Sequence, residues 1–209
     1  MYTNDPLLNR LIKSFRDWGR DCICSSGKDN MCGHRFDGQF GQLPQGYDHK
    51  YVYSHFGYNL KVTDMQAAVG VEQLKKFPGF IEARKRNWKQ LRELLEDAQD
   101  KLILPEPAEG SDPSWFGFLI SVKKDSGLNR NDVTRYIEDH NVQTRLLFSG
   151  NLIKHPCFDQ IRDTDAYRVV GDLENTDFIM NNTFWVGVYP GMTDEKIKYM
   201  AKVIKEAIA

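Results

Sequence analysis

Cysteine is the residue type with the most chemistry to offer, and three of the four in this chain fall close together. Cys22, Cys24 and Cys32 are spaced C-x-C-x7-C, and the stretch from Ser25 to Gly33 is polar with two glycines, the composition of a loop. A loop that returns a third thiol to a close pair can hold a metal ion or cluster, because soft sulfur ligands suit zinc and iron–sulfur. Arg20, Lys28 and Arg35 flank these thiols and would favour the thiolate form if they lie beside them. Three ligands are one too few for either kind of site. Cys157 lies far downstream in an apolar context and reads as a small buried hydrophobe. Three readings therefore stay open from spacing alone. The thiols are free in a loop; or zinc is held by Cys22, Cys24, Cys32 and His34, against the usual C-x2-4-C preference; or an iron–sulfur site takes its fourth ligand from outside the chain.

The elements that position this loop are legible around it. Met1 to Pro6 has the character of a strand end entering a turn, with Asn4 or Asp5 as N-cap and Pro6 in the first helical position. Leu7, Leu8, Leu11, Ile12 and Phe15 follow helical spacing to about Trp18. One strand end and one helix cannot make a core, so they read as the last pieces of a larger unit. Asp37 to Gln45 is rich in Gly and Gln and predicts irregular chain. Tyr47, Tyr51, Tyr53, Phe56 and Tyr58 form an aromatic stretch with His49 and His55 interleaved. It could stack on a base or sugar, but packing surface is the commoner role.

Thr63-Asp-Met-Gln66 has the form of a capping box opening a helix. Phe77-Pro78-Gly79 should break or sharply bend that helix, and a second amphipathic helix follows with Ile81, Trp88, Leu91, Leu94 and Leu95 on one side. Leu104 to Pro113 is a Pro/Gly/acid linker. Beyond it come a strand over Trp115 to Val122, a helix capped by Asn129 over Arg130 to His140, and a strand over Val142 to Phe148. A loop with Lys154, His155 and Cys157, a helix from Leu173 to Met180, a strand over Thr183 to Val188 and a last helix capped by Thr193 complete the chain. The order from about residue 101 is β-α-β-α-β-α, a small α/β sandwich with one sheet and helices on one face. Three segments result, 1–62, 63–100 and 101–209.

A chain of 209 residues, 41 % hydrophobic and 27 % charged, can bury a real core. A formal charge of −1 gives no support to nucleic-acid or anionic-membrane binding. No apolar run approaches the roughly 20 residues that cross a bilayer. Clustered cysteines without a disulfide framework fit a reducing, cytoplasmic setting.

Several of these features converge on one resemblance. Thr3-Asn-Asp-Pro6 before a helix, Gly57-Tyr-Asn-Leu-Lys61 before Asp64-Met-Gln-Ala-Ala68, and a strand–turn segment ending at His155-Pro156 are similar to the sugar aminotransferases of the DegT/DnrJ/EryC1/StrS family. Their fold is that of aspartate aminotransferase, the fold type I of PLP-dependent transferases. The resemblance runs through all 209 residues but covers the C-terminal half of such an enzyme: the tail of the large domain, a long broken helix and the small α/β domain. Arg16-Asp-Trp-Gly-Arg-Asp-Cys-Ile-Cys with Cys32 resembles one branch, the dehydrases of 3,6-dideoxyhexose biosynthesis, whose [2Fe-2S] cluster sits on three cysteines spaced as here plus an earlier one.

The resemblance implies C-3 deoxygenation of CDP-4-keto-6-deoxy-D-glucose on the way to lipopolysaccharide O-antigen. Pyridoxamine 5'-phosphate is the implied electron sink, and a flavin, iron–sulfur NADH reductase is the implied electron donor through the cluster. A histidine replaces the aminotransferase lysine as base in that branch and aligns just before Met1, so this chain is expected to lack catalytic activity. Asn59 matches the asparagine that reaches the cofactor phosphate of the neighbouring subunit in a homodimer, with Lys61 a further phosphate candidate. Arg145, Asn151 and His155 match the sugar-nucleotide segment, and Tyr53, His55 and Tyr58 are weaker candidates. Two rivals stand: an ordinary PLP-dependent nucleotide-sugar aminotransferase, and a zinc-stabilised interaction module without catalysis.

Overall fold

Asp5 opens the first helix, α1 (Pro6–Arg16): its carboxylate accepts from the amides of Leu7 and Leu8, and Pro6 fills the first turn. Both devices satisfy or remove amides that a helix start would leave unpaired. The computed structural model describes residues 1–25 and 27–209. Its chain divides into two compact units, Met1–Glu72 and Gln73–Ala209, with the boundary inside a helix.

The first unit is held by backbone pairing more than by a core. Trp18 donates to the Tyr58 carbonyl, Tyr58 to Phe15 and Leu60 to Arg16, which straps residues 58–60 along the end of α1. Isolated bridges pair Asp17 with Asn59 and Arg20 with Tyr53. The strap can lie this close because Gly19 and Gly57 have no Cβ. A methyl at Gly19 would stand 1.8 Å from the His55 carbonyl oxygen, and Gly19 has φ +84°, where L side chains are disfavoured. No residue of α1 is buried. The aromatic stretch is exposed at Tyr47, Tyr51, Tyr53, Phe56 and Tyr58 instead of packing into a core of this unit. Buried Val52 and His49 are the exceptions within that stretch.

Thr63 caps the long helix α2 (Asp64–Leu94) through the expected box. Gln66 N donates to Thr63 Oγ1 at 3.3 Å, and Thr63 N donates to Gln66 Oε1 at 2.9 Å. The expected break at Pro78 is not found, for α2 runs through it as one 31-residue helix. A mid-helix proline forfeits one backbone hydrogen bond and clashes with a carbonyl, about 3 kcal/mol. Long runs of helix-favouring Glu, Leu, Lys, Ala and Arg on either side outweigh that cost.

The second unit carries the core. Its four strands are β1 (Leu102–Ile103), β2 (Gly117–Val122), β3 (Thr144–Leu146) and β4 (Thr183–Gly187), in sheet order β1-β2-β4-β3 with every neighbour antiparallel. β2 and β3 both run against β4, so they are parallel to one another and β4 is inserted between them. The helix α3 (Arg130–Asp139) joins them, which makes a split β-α-β unit. Two further helices, α4 (Glu174–Asn182) and α5 (Asp194–Ala207), flank β4 in sequence. The strands are shorter than the apolar runs that announce them, and β1 is too short for alternation to reveal.

Alternation along β2 buries Phe118, Ile120 and Val122, and Phe184 and Val186 face the same way from β4. Val133 and Ile137 of α3, Leu91 near the end of α2, Leu95 just beyond it, and Ile197, Val203 and Ile204 of α5 close over them. Each full burial of such a side chain is worth about 1.5–3 kcal/mol. Trp88 stacks on Trp115 at 4.3 Å between ring centroids, the two rings almost parallel. Cys157, expected inside, is exposed: it sits in the single 3-10 turn Pro156–Phe158, where Phe158 packs edge-on to Tyr167. A one-turn surface element has no interior side to offer a thiol. No helix among the described residues is long and apolar enough to cross a membrane.

Candidate functional site: a three-thiol loop and its histidine

The cysteine loop begins where the strap ends. Asp21 N donates to the Val52 carbonyl, and His49 N donates to the Arg35 carbonyl. The two ends of the loop are thereby tied to the single turn His49–Tyr51, which Asp48 caps. Cys22, Cys24 and Cys32 are each half-buried and all three line one narrow crevice, with Asp29, Asn30, Arg35, His49 and Lys50. The crevice has room for about one water, so the loop must widen to take anything larger. Among the described residues no three His, Cys, Asp or Glu side chains stand close enough to hold a single metal ion. A zinc tetrahedron of Cys22, Cys24, Cys32 and His34 is therefore not assembled. His34 contributes its backbone amide, which donates to Cys32 Sγ at 3.4 Å.

Two of the three flanking cations, Arg20 and Arg35, are engaged elsewhere. Arg35 forms a fork onto Asp48, at 3.0 and 2.7 Å, and reaches Asp29 at 3.6 Å. Arg20 donates to the Lys50 carbonyl at 2.6 Å. Instead, an imidazole faces the sulfur. His49 Nδ1 lies 3.5 Å from Cys32 Sγ, and its Nε2 lies 2.8 Å from Asp21 Oδ2. The ring also stacks on Phe40 at 5.0 Å. Nothing in the spacing announces this, because His49 is 17 residues beyond Cys32. The one signal was a histidine flanked by Asp48 and Lys50 at the start of an otherwise aromatic stretch.

The electrostatics follow that geometry. The His34 amide first, and then His49, hold the Cys32 thiol below the ordinary cysteine value. Burial pushes the Cys22 thiol up, with the neighbouring Cys24 thiol adding to the effect. The hydrogen bond to Asp21 raises His49, and the same bond lowers Asp21. The loop thus carries one thiol disposed to ionise and one that resists.

The three cysteines line one crevice without meeting at one point, and thiols are the soft ligands that zinc and iron–sulfur centres use.

The other candidate residues fall in both units. In the first, Asn59 is exposed within the strap and Lys61 Nζ lies 3.9 Å from Asp17 Oδ2. Lys61 also lines a cleft of about 640 Å3 with Arg10, Lys13, Arg16 and Arg20, together with Asp17 and Asp21, which pair with Lys61, Arg20 and Arg10. His55 Nε2 lies 3.2 Å from Ser14 Oγ and its ring packs on Phe15, while Tyr53 and Tyr58 are exposed.

In the second unit, Arg145 is exposed on β3, its guanidinium donating to the Thr144 carbonyl at 2.8 Å. Asn151 is instead buried, donating from Nδ2 to Asp177 Oδ1 at 2.7 Å. Lys154 reaches the other oxygen of Asp177 at 2.8 Å. His155 Nε2 lies 2.6 Å from the Ser149 carbonyl oxygen. Asn151 and His155 thus share one braced loop, with Arg145 on the strand that leads into it.

Comparison with known proteins agrees with this architecture. The chain is 52 % identical over 206 residues to the lipopolysaccharide biosynthesis protein RfbH of Salmonella typhimurium, covering 99 % of this chain and 46 % of that protein. It is 51 % identical over 202 residues to a dTDP-4-dehydro-2,6-dideoxy-D-glucose 3-dehydratase of Saccharopolyspora spinosa, covering 97 % and 43 %. It spans less than half the length of these relatives. Among solved structures, a GDP-4-keto-6-deoxymannose-3-dehydratase with a trapped PLP-glutamate geminal diamine superposes with a TM-score of 0.63 at 28 % identity, over 75 % of this chain and 39 % of that one. An E. coli GDP-4-keto-6-deoxy-D-mannose-3-dehydratase with bound hydrated PLP shares the fold, with a TM-score of 0.71 at 24 % identity over 97 % and 48 %. The match to the DegT/DnrJ/EryC1/StrS aminotransferase family extends over residues 1–205, and the chain belongs to that family.

Proposed function

We propose that this chain is the part of a sugar-nucleotide 3-dehydratase that carries the cluster loop and the small domain, acting with pyridoxamine 5'-phosphate and a [2Fe-2S] cluster. The observation that carries the reading is that Cys22, Cys24 and Cys32 all border one crevice. The family likeness supports it through two relatives above 50 % identity, one named for lipopolysaccharide biosynthesis and one for 3-dehydration. The substrate is the 4-keto-6-deoxyhexose of a nucleoside diphosphate, taken here as CDP-4-keto-6-deoxy-D-glucose, in 3,6-dideoxyhexose and O-antigen synthesis in the cytoplasm.

Bound pyridoxamine phosphate supplies an electron sink at the sugar, and the cluster supplies single electrons from an NADH-dependent flavin, iron–sulfur reductase. The chain's own residues bind and orient. Cys22, Cys24 and Cys32 hold the cluster, with one further thiolate from outside these residues. Asn59 and Lys61 meet the cofactor phosphate of a neighbouring subunit in a homodimer, Lys61 from the cationic cleft. Arg145 pairs with the nucleotide diphosphate through its exposed guanidinium, a planar donor matched to phosphate. Asn151 and His155 shape the loop that receives the sugar, their side-chain donors being taken by Asp177 and by Ser149. No residue here is assigned as catalytic base, and the isolated 209-residue chain is expected to turn over no substrate.

Anoxic reconstitution with ferrous iron and sulfide, on protein of full family length that includes the fourth thiolate, tests the cluster directly. Visible charge-transfer bands with iron and sulfide in equal amounts are expected. A colourless protein without iron overturns the dehydratase reading and leaves a nucleotide-sugar aminotransferase. NADH consumption with the reductase and a keto-sugar nucleotide, measured on protein of full family length, separates the two activities.

A further inference from the structure

Trp185 of β4 stands directly opposite Arg145 of β3 and Leu119 of β2, so the three form one row across the sheet. Phe184 and Val186 on either side of Trp185, and Phe118 and Ile120 on either side of Leu119, are fully buried in the core. Side chains alternate along a strand, which turns the row to the sheet's other face. There Trp185 is half-buried and Arg145 exposed. Residues opposite one another carry their Cβ atoms about 4.5–5.5 Å apart, so an indole and a guanidinium are neighbours. The indole is held in place. It leans over Gly117, where a methyl would stand 2.7 Å from its Cε3, and the exposed Phe116 ring meets it at 5.0 Å with a tilt of 53°. The next position of β4 on this face is Gly187, which pairs with Gly117, and a Cβ at Gly187 would meet nothing within 4 Å. An aromatic ring, a cation and an open floor thus share one patch of the second unit.

We propose that this patch binds the nucleoside diphosphate of the substrate, its base stacked on the Trp185 indole over Gly187 and its diphosphate on the Arg145 guanidinium. The inference rests on the sugar-nucleotide part of the function proposed above and adds the base, for which that reading names no residue. It does not involve the thiols. Charge and shape select this occupant. A base offers a flat π-face to an indole, and a planar guanidinium pairs with phosphate oxygens in a fork. One ribose joins base to diphosphate, so a single ligand reaches both neighbours. An apolar segment of protein would cover the indole and leave the cation without a counter-charge. Stacking tolerates every base, so the patch admits nucleoside diphosphates as a class, with cytidine among them.

The test is a titration of the 15N-labelled chain with CDP, and with pyrophosphate as the base-free probe, read at the tryptophan indole resonances. Trp185→Phe identifies the Trp185 signal by its loss. CDP is expected to shift that signal saturably, and pyrophosphate to shift it far less. Gly187→Leu fills the floor at a position with open space around it. With a urea midpoint no lower than the parent's, it should weaken CDP binding about fivefold or more, and Trp185→Ala should do likewise. Arg145→Gln should weaken CDP and pyrophosphate alike. A Trp185 signal unmoved by CDP, or CDP binding unchanged in Gly187→Leu, overturns the proposal. So does a signal that moves with protein concentration alone, which would make this face a contact between copies. Should Gly187→Leu or Trp185→Ala fail to fold, the saturable indole shift in the unsubstituted chain decides. The dehydratase reading is judged apart from this, by NADH consumption on protein of full family length, so either can fail while the other stands.

Discussion

Asn151 donates its side-chain amide to Asp177 at 2.7 Å while only 3 % of the residue is exposed, so one carboxylate of α4 holds the loop that enters the small domain's candidate substrate segment. Lys154 takes the second oxygen of the same carboxylate. These two partners, Lys154 first, hold the Asp177 carboxyl below the ordinary aspartate value. A depressed carboxyl pKa means that the unfolded chain binds more protons through this window, so stability rises with pH there. The contribution is present above the unfolded value and is lost as pH falls from about 3.8 through the lower folded value. Asp177→Asn is therefore expected to be less stable than the unsubstituted protein at neutral pH and to converge with it in acid. Urea midpoints measured from pH 6 down to pH 2 check this; a constant difference across the range would sink it.

The core of the second unit should respond as a packed interior. Phe118 and Phe184 lie on neighbouring strands and neither is exposed. Either change to Ala is expected to cost about 3–5 kcal/mol of unfolding free energy, the transfer term plus the cavity left behind. Denaturant titration gives the figure, and a loss below about 1 kcal/mol would mean that these rings are not enclosed.

The strap of the first unit depends on two missing Cβ atoms. Alanine at Gly57 would place a methyl 2.3 Å from the Gly19 nitrogen and 2.8 Å from the Phe15 carbonyl oxygen, both backbone atoms that cannot swing aside. Gly57→Ala should destabilise residues 14–20 and 53–60 by about 1–3 kcal/mol, as overpacking does. Amide hydrogen exchange at Trp18, Tyr58 and Leu60, which donate across the strap, would report it. Unchanged protection there would show that the backbone shifts without loss.

Pro78 offers the opposite sign. It stands exposed inside α2, where its ring and missing amide cost the helix up to about 3 kcal/mol. Pro78→Ala restores a donor toward Leu74 and should raise the thermal midpoint. A fall would reveal a role for the proline that the helix itself does not show.

The thiols give the functional counterpart. Cys22→Ser, Cys24→Ser and Cys32→Ser should each lower the iron retained after desalting reconstituted protein of full family length, since soft ligands hold iron–sulfur centres better than hydroxyls do. Cys157→Ser should leave iron unchanged, because that thiol lies on the exposed Pro156–Phe158 turn. Equal loss at Cys157 would indicate non-specific iron.

Local chemistry was readable from residue order. The Asp5–Pro6 helix start, the Thr63–Gln66 box, the Asn129 and Thr193 caps and the strand within Trp115 to Val122 are written in neighbouring residues, and each formed, the strand two residues shorter than read. The C-x-C-x7-C thiols and the family motifs are likewise linear signals. What neighbours do not encode came from the tertiary structure alone. The insertion of β4 between β2 and β3 is a pairing of strands far apart in sequence. The burial of Asn151 follows from where α4 sets Asp177, and the exposure of Cys157 from a turn with no interior side. The continuity of α2 through Pro78 is a balance between one local penalty and a long helix's cooperative gain. The approach of His49 to Cys32 depends on the chain doubling back through the Asp21–Val52 and Arg35–His49 backbone bonds. Hydrogen bonds and close packing act between atoms brought together in space, and spacing along the chain records only the part of that meeting that is local.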